Sequence, residues 1–288
     1  MKLIQFASIT KKIALAAFGL FLLLFLPVHL GINLCLLRDD GGEWYRNASH
    51  FMGTNYIVKV FEIVLLASVL LHICLAIYLT IENWLARPVR YKVRTKTKTP
   101  FMSRYMIWTG GIIACFLVLH FINFYFVKLD LVQGKYSASI EQVDKLFQQK
   151  AIKLQQGELN EKEQAALMAQ YQAISQISPE KMDKSQKNMV NLTKEEVIQY
   201  CGEDFKHVEP DFYTMSKELF ANKTYSLIYL VVFVVLGFHL YHAINSLAQT
   251  LGLSHRKYSP IIDWISVFYA VLVPLGFAII PLWFMFVK

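Results

Sequence analysis

Five of the eight histidines, His29, His72, His120, His239 and His242, stand inside long apolar stretches. The other three, His50, His207 and His255, fall in polar surroundings where water can solvate them. An imidazole in an apolar stretch can pack through a hydrogen bond, pass protons, or give a ring nitrogen to a metal. A proton relay usually recruits carboxylates too, and the interiors of these stretches hold almost none. Glu62 and Glu82 lie only at the ends of the second. One such histidine is compatible with packing. At least one on each of the first four stretches, with none on the fifth, points to ligation.

The charge-free runs that carry these histidines are residues 13–37, 63–81, 105–127, 224–255 and 264–287. They are 25, 19, 23, 32 and 24 residues long. Roughly 20 apolar residues cross a bilayer as a helix, so the expected fold is an all-α membrane protein, a bundle of five transmembrane helices. Only 17% of the chain is charged, against about a quarter in soluble domains. That balance fits neither a disordered chain nor an ordinary cytosolic enzyme. The first run is longer than the core of a signal peptide and lacks a small-residue cleavage site, so it reads as a permanent span. The four cysteines, Cys35, Cys74, Cys115 and Cys201, form no CxxC, and three of them sit in different apolar runs. They read as buried apolar filler, with neither a disulfide framework nor a zinc site.

Alternating chain direction places Leu37, Ile63, Val127 and Thr224 at one side of the membrane. At about 1.5 Å per residue, His29 lies about 12 Å from that side and His120 about 10 Å. His72 lies about 14 Å from the opposite end of its run at Ile81, and His239 about 15 Å from Gln249, where the fourth run turns polar. His29 with His120 thus form one level and His72 with His239 another. Two levels of facing imidazoles in a helical bundle suit two bis-histidine haems stacked across the membrane. Gly31, Gly110, Gly111 and Gly237 would let a flat macrocycle approach the backbone. His242, three residues after His239 and on a similar face, competes with it; spacing alone does not separate the two.

Residues 128–223 hold 13 basic and 15 acidic residues, which leaves 16 basic and 6 acidic on the remainder. Twelve of those 16, Lys2, Lys11, Lys12, the seven between Arg87 and Arg104, Arg256 and Lys257, share one side. Arg38, Arg46, Lys59 and Lys288 take the other. Excess Lys and Arg mark the cytoplasmic face, so the N-terminus is expected inside and the C-terminus outside. This effect accounts for the basic loops without nucleic acid. The expected organisation is spans one to three in 1–127, an extracytoplasmic helical insertion in 128–223, and spans four and five in 224–288. Within the insertion, 140–154 and 161–174 have helical apolar spacing, and Thr193 to Glu196 forms a capping box. Together they predict a helical hairpin over the outer ends of the spans, punctuated by Ser178–Pro179 and Gly202. It shows no catalytic constellation.

Four blocks, FLPVHLGINL around His29, LLHICLAIYLTIENWLARPVRY around His72, SRYMIWTGGIIACFLVLHFINFYF around His120 and GFHLYHAINSLAQTLGL around His239, carry a resemblance. In this order they resemble the cytochrome b membrane-anchor subunit of succinate dehydrogenase/fumarate reductase, in the single-chain, five-helix, di-haem form of Bacteroidota and related bacteria. Asp211-Phe-Tyr213 also resembles a short motif before the family's fourth helix. The resemblance covers about the first 127 residues and the stretch from Asp211 onward; the insertion is longer than the family's.

The resemblance implies two haem b groups, with His29 and His120 on the outer iron and His72 and His239 on the inner one. In the family the fourth-helix ligand precedes a small residue, usually Gly, by four positions. Ala243 stands there, which favours His239 over His242. The family role would be to anchor a flavoprotein subunit and an iron–sulfur subunit on the cytoplasmic face of the bacterial inner membrane and to exchange electrons with menaquinone. The chain carries neither a GxGxxG nor a cysteine cluster, so it would not oxidise succinate alone. The basic loop 87–104 reads as docking surface, topogenic charge, or both. Glu43, in the connection between the first two spans with Trp44, Asn47 and His50, would exchange protons with the quinone; its bland alternative is a solvated loop carboxylate. The rival readings are the di-haem subunit of a hydrogenase or formate dehydrogenase, and a haem-free transporter.

Overall fold

The computed structural model describes residues 8–86, 105–139, 160–175, 189–192 and 210–286, with four single positions between 148 and 156. The helices are α1 (Ser8–Leu34), α2 (Glu43–Thr54), α3 (Tyr56–Leu85), α4 (Met106–His120), α5 (Glu161–Ser175), α6 (Phe212–Ala221), α7 (Lys223–Thr250) and α8 (Ser259–Phe286). Past His120, α4 runs on through a π-helical turn, Phe121–Tyr125, to Phe126–Lys128. Five helices, α1, α3, α4, α7 and α8, are long and apolar enough to cross a membrane. The chain is an all-α, multi-pass membrane protein.

The helices outrun the charge-free runs. Helix α3 takes in Lys59, Glu62 and Glu82, and α8 takes in Asp263. A charged side chain near a helix end can reach the interface while its backbone stays helical, so charge ends a run before it ends a helix. Asparagine caps open two of the spans. Asn55 Oδ1 accepts from the backbone N–H of Ile57 at 2.9 Å, and Asn222 Oδ1 from that of Thr224 at 3.0 Å.

The chain divides into two compact units. The first joins Met1–Leu37, Phe51–Leu119 and Leu219–Lys288. In it α7 lies along α8, and α1 packs on α3, α7 and α8. Small and hydroxylated residues bring these helices close, as membrane interfaces favour. Ser226 and Ser266 are fully buried, and each Oγ donates to a backbone carbonyl at 2.7 Å. Large apolar side chains such as Leu24, Ile63, Trp108, Val234 and Trp264 are exposed, as a hydrocarbon solvent permits.

Prolines set the closest approaches. Pro27 lies inside α1 and has no N–H for the Leu23 carbonyl. The Tyr269 hydroxyl of α8 donates to that carbonyl. Pro274 likewise releases the Ala270 carbonyl of α8. Gly237 of α7 sits against it, so near that an added Cβ would stand 2.9 Å from the oxygen.

The second unit joins Arg38–His50 and His120–Glu218. The connection expected as a loop folds instead into α2, whose first turn carries Glu43. It is anchored by Arg46, which meets both carboxylate oxygens of Asp211 at 3.0 and 2.8 Å and the Gly41 carbonyl at 2.8 Å. Asp211 also caps α6, accepting from the Tyr213 and Thr214 N–H groups. Gly42, with φ of +86°, lies where a Cβ would collide with the Tyr213 ring at 2.4 Å, so no other residue fits. Helix α5 matches the expected 161–174 closely and opens on a reciprocal capping box between Asn160 and Glu163. A short antiparallel ribbon, β1 (Tyr136–Ser139) with β2 (Met189–Leu192), was not foreseen. The expected helix at 140–154, the capping box at 193–196, Ser178–Pro179, Gly202, Cys201, His207 and the loop 87–104 lie outside the described residues.

Replacing Tyr269 with Phe removes the donor and leaves the Leu23 carbonyl unsatisfied between helices. The expected cost is about 1 kcal/mol, seen as a melting temperature a few degrees lower in detergent with helix content unchanged.

Candidate functional site

Helices α3 and α7 bring His72 and His239 to one place in the first unit. Each ring lies within reach of the other's charge. Gly19 of α1 flanks His72: an added Cβ would lie 3.4 Å from its Cε1 and 3.6 Å from its Nδ1. Gly110 of α4 flanks His239, 3.6 Å from its Cε1 by the same measure. His72 Nδ1 is buried with no hydrogen-bond partner, and the ring borders the Leu15 backbone. The Leu15 backbone is thus within weak hydrogen-bonding reach of the ring.

Thr109 of α4 sets the chemistry of His239. Its hydroxyl donates to the Met106 carbonyl at 3.1 Å, so towards His239 Nδ1, at 3.4 Å, it offers a lone pair. With the proton of the neutral ring on Nδ1, the Nε2 lone pair would be free for ligation. This outer-shell arrangement orients histidine ligands in metal sites. His242, one turn further on, is half-buried and among the described residues makes no hydrogen bond.

His29 lies two residues after Pro27, stacked at 5.2 Å on Phe25 and 5.6 Å from Phe277 of α8. Asn33 Nδ2 donates to the His29 carbonyl at 2.8 Å and approaches Nδ1 at 3.3 Å. In this arrangement Nδ1 accepts, so ligation through Nε2 requires the ring to trade that contact for a proton on Nδ1. His120 belongs to the second unit and immediately precedes the π-helical turn. Such turns insert a residue, re-aim the neighbouring side chains, and recur at functional sites. Its ring lies 5.2 Å from Phe124.

One glycine differs from expectation. Gly237 serves the α7–α8 contact and not a cofactor face, because the freed Ala270 carbonyl occupies its open side. Gly31 and Gly111 do have open space, with nothing within 4 Å of an added Cβ. Gly19, Thr109 and Tyr269 went unremarked in the sequence. The signal for Gly19 was a small residue on span one at the depth of His72.

Among the described residues no group of three or more His, Cys, Asp or Glu converges. A bare metal ion wants three or four protein donors. Paired imidazoles on separate helices suit a macrocycle that fills the equatorial positions itself. Cys35, Cys74 and Cys115 are free thiols. Glu43 is exposed at the N-terminus of α2, where the helix dipole alone favours a carboxylate. Searched against protein-family models, curated proteins and solved structures, the chain matches none of them.

Asp211 and Arg46 form the buried polar centre of the second unit, with the Asp211 side chain only 2% exposed. Asp211→Asn leaves the guanidinium without its counter-charge at a cost of about 3 kcal/mol. Faster backbone hydrogen exchange over α2 and α6, with α7 and α8 unchanged, is the expected result.

Proposed function

We propose that this chain is a di-haem cytochrome b that anchors a succinate:quinone oxidoreductase in the bacterial cytoplasmic membrane. It would carry electrons between an iron–sulfur subunit and menaquinone. The observation that supports this reading is that His72 and His239 lie near one another, each beside a glycine of another helix, with the Thr109 hydroxyl 3.4 Å from His239 Nδ1. The four His-centred blocks, in their order, support the choice of family and of the flavoprotein and iron–sulfur partners. The Lys and Arg distribution supports an N-terminus inside and a C-terminus outside.

A haem held here supplies reversible one-electron chemistry. The residues of the chain do the rest. His72 and His239 hold the inner group, and His29 and His120 the outer one. Apolar neighbours such as Phe25, Phe277 and Phe124 keep water from the imidazoles. Quinone chemistry at the outer level needs a group that takes and gives protons, and Glu43, exposed on α2, fills that role in this reading.

The purified protein is expected to contain two haem b per polypeptide by pyridine haemochrome. Ala at His72, His239, His29 or His120 should halve that content and remove one low-spin signal, whereas His242→Ala should keep both. A wild-type protein without haem refutes the proposal. Two low-spin haems retained in any single ligand variant refute that residue's assignment.

Glu43→Gln should leave both haems assembled and slow quinone-linked turnover about a hundredfold, with succinate–dye activity unchanged. Unaltered quinone-linked turnover returns Glu43 to a solvated carboxylate on α2.

A further inference from the structure

Near the start of α1, Lys11 points its ammonium into the seam with α3, where its side chain is only 13% exposed. Nζ donates to Glu82 Oε1 at 2.7 Å and to the Tyr78 hydroxyl at 3.2 Å, and lies 4.8 Å from the centroid of the Tyr78 ring. Lys12, the adjacent cation, is exposed. A cation enclosed in this way, with one carboxylate beside it, is an unusual feature for a span end.

The location gives it a use. Leu15, whose backbone borders the His72 ring, is four residues from Lys11, about 6 Å along α1. Gly19, which faces the same ring, lies a further turn on. Lys11, Leu15 and Gly19 recur at four-residue spacing, so they form one stripe on the helix. That stripe runs from the flank of His72 to the Lys11 ammonium.

A haem is not apolar all round: two propionate carboxylates leave one edge of the ring. A carboxylate buried in a bundle needs a cation or several donors. Between Gly19, which faces His72, and Lys11 the stripe holds no other charged residue.

We propose that Lys11, seconded by the Tyr78 hydroxyl, binds a propionate of the haem held by His72 and His239, with Glu82 as the group that shares the ammonium. This rests on the di-haem reading above. The site recognises a carboxylate at the edge of a flat ring. It makes Lys11 a binding residue for the cofactor as well as part of an interhelical ion pair.

Charge supplies a test of whether Lys11 and Glu82 act on the inner haem. A cation beside the propionate offsets negative charge near the iron and so favours the ferrous state. Spectroelectrochemical titration of the purified full chain should show the inner haem's midpoint potential fall in Lys11→Met and return towards wild type in Lys11→Arg. The outer haem should stay put. Glu82→Gln removes a negative charge and should move the inner haem the opposite way, upward. If Lys11→Met does not assemble, the Glu82→Gln shift decides. Equal shifts of one sign in Lys11→Met and Glu82→Gln, or no shift in either with both haems present, overturn the proposal. Absence of haem from the wild-type protein overturns the functional reading instead, so the two failures are distinguishable.

Discussion

A backbone carbonyl in hydrocarbon must find a donor, because no water is there to supply one. This constraint organises the first unit. Pro27 and Pro274 each strip a carbonyl of its helical partner. The first is met by the Tyr269 hydroxyl, and the second lies against the bare face of Gly237. Both contacts involve α8, which carries no histidine, and each sits beside a helix segment that does. His29 follows Pro27 by two positions, and His239 follows Gly237 by two. The placement of the imidazoles is therefore tied to the repair of broken helical hydrogen bonds.

The site itself is made from differences in polarity over short distances. His239 has a hydroxyl acceptor on one nitrogen, His72 has a buried nitrogen with no partner, and glycines stand where larger side chains would fill the space between helices. The second unit follows another logic. Its polar centre, Arg46 with Asp211, is fully hydrogen-bonded and binds α2 to the start of α6. The short motif at Asp211 is thus explained by capping and ion pairing without any chemistry on a substrate.

Much of this was legible in the order of residues. Charge-free runs located all five spans, because the bilayer imposes a length and an apolar solvent on each. The helix at 161–174 was readable because its apolar spacing is local. Helix α2 was missed, since its stability comes from Arg46 reaching a carboxylate 165 positions away. The β1–β2 ribbon was missed for the same reason, with partners 50 to 56 residues apart. At the site, Gly19 beside His72 and Thr109 beside His239 were not readable, because each comes from another helix. Which of His239 and His242 has a tautomer-setting partner depends on Thr109, on another helix. Gly237 was assigned the wrong neighbour because nothing in its own segment announces the proline of α8.

The Tyr269 contact has a consequence for biosynthesis. Helix α1 enters the membrane with an open Leu23 carbonyl, and its donor lies on the last of the five spans. Until α8 is inserted, the first span carries an unsatisfied polar group, and its contact with the rest of the bundle is incomplete. The seams around His72 and His239 involve only earlier spans, so they can form first. Insertion of α8 then works as a closing step, and a chain stalled before it presents a marked, unfinished helix to the cell's quality control.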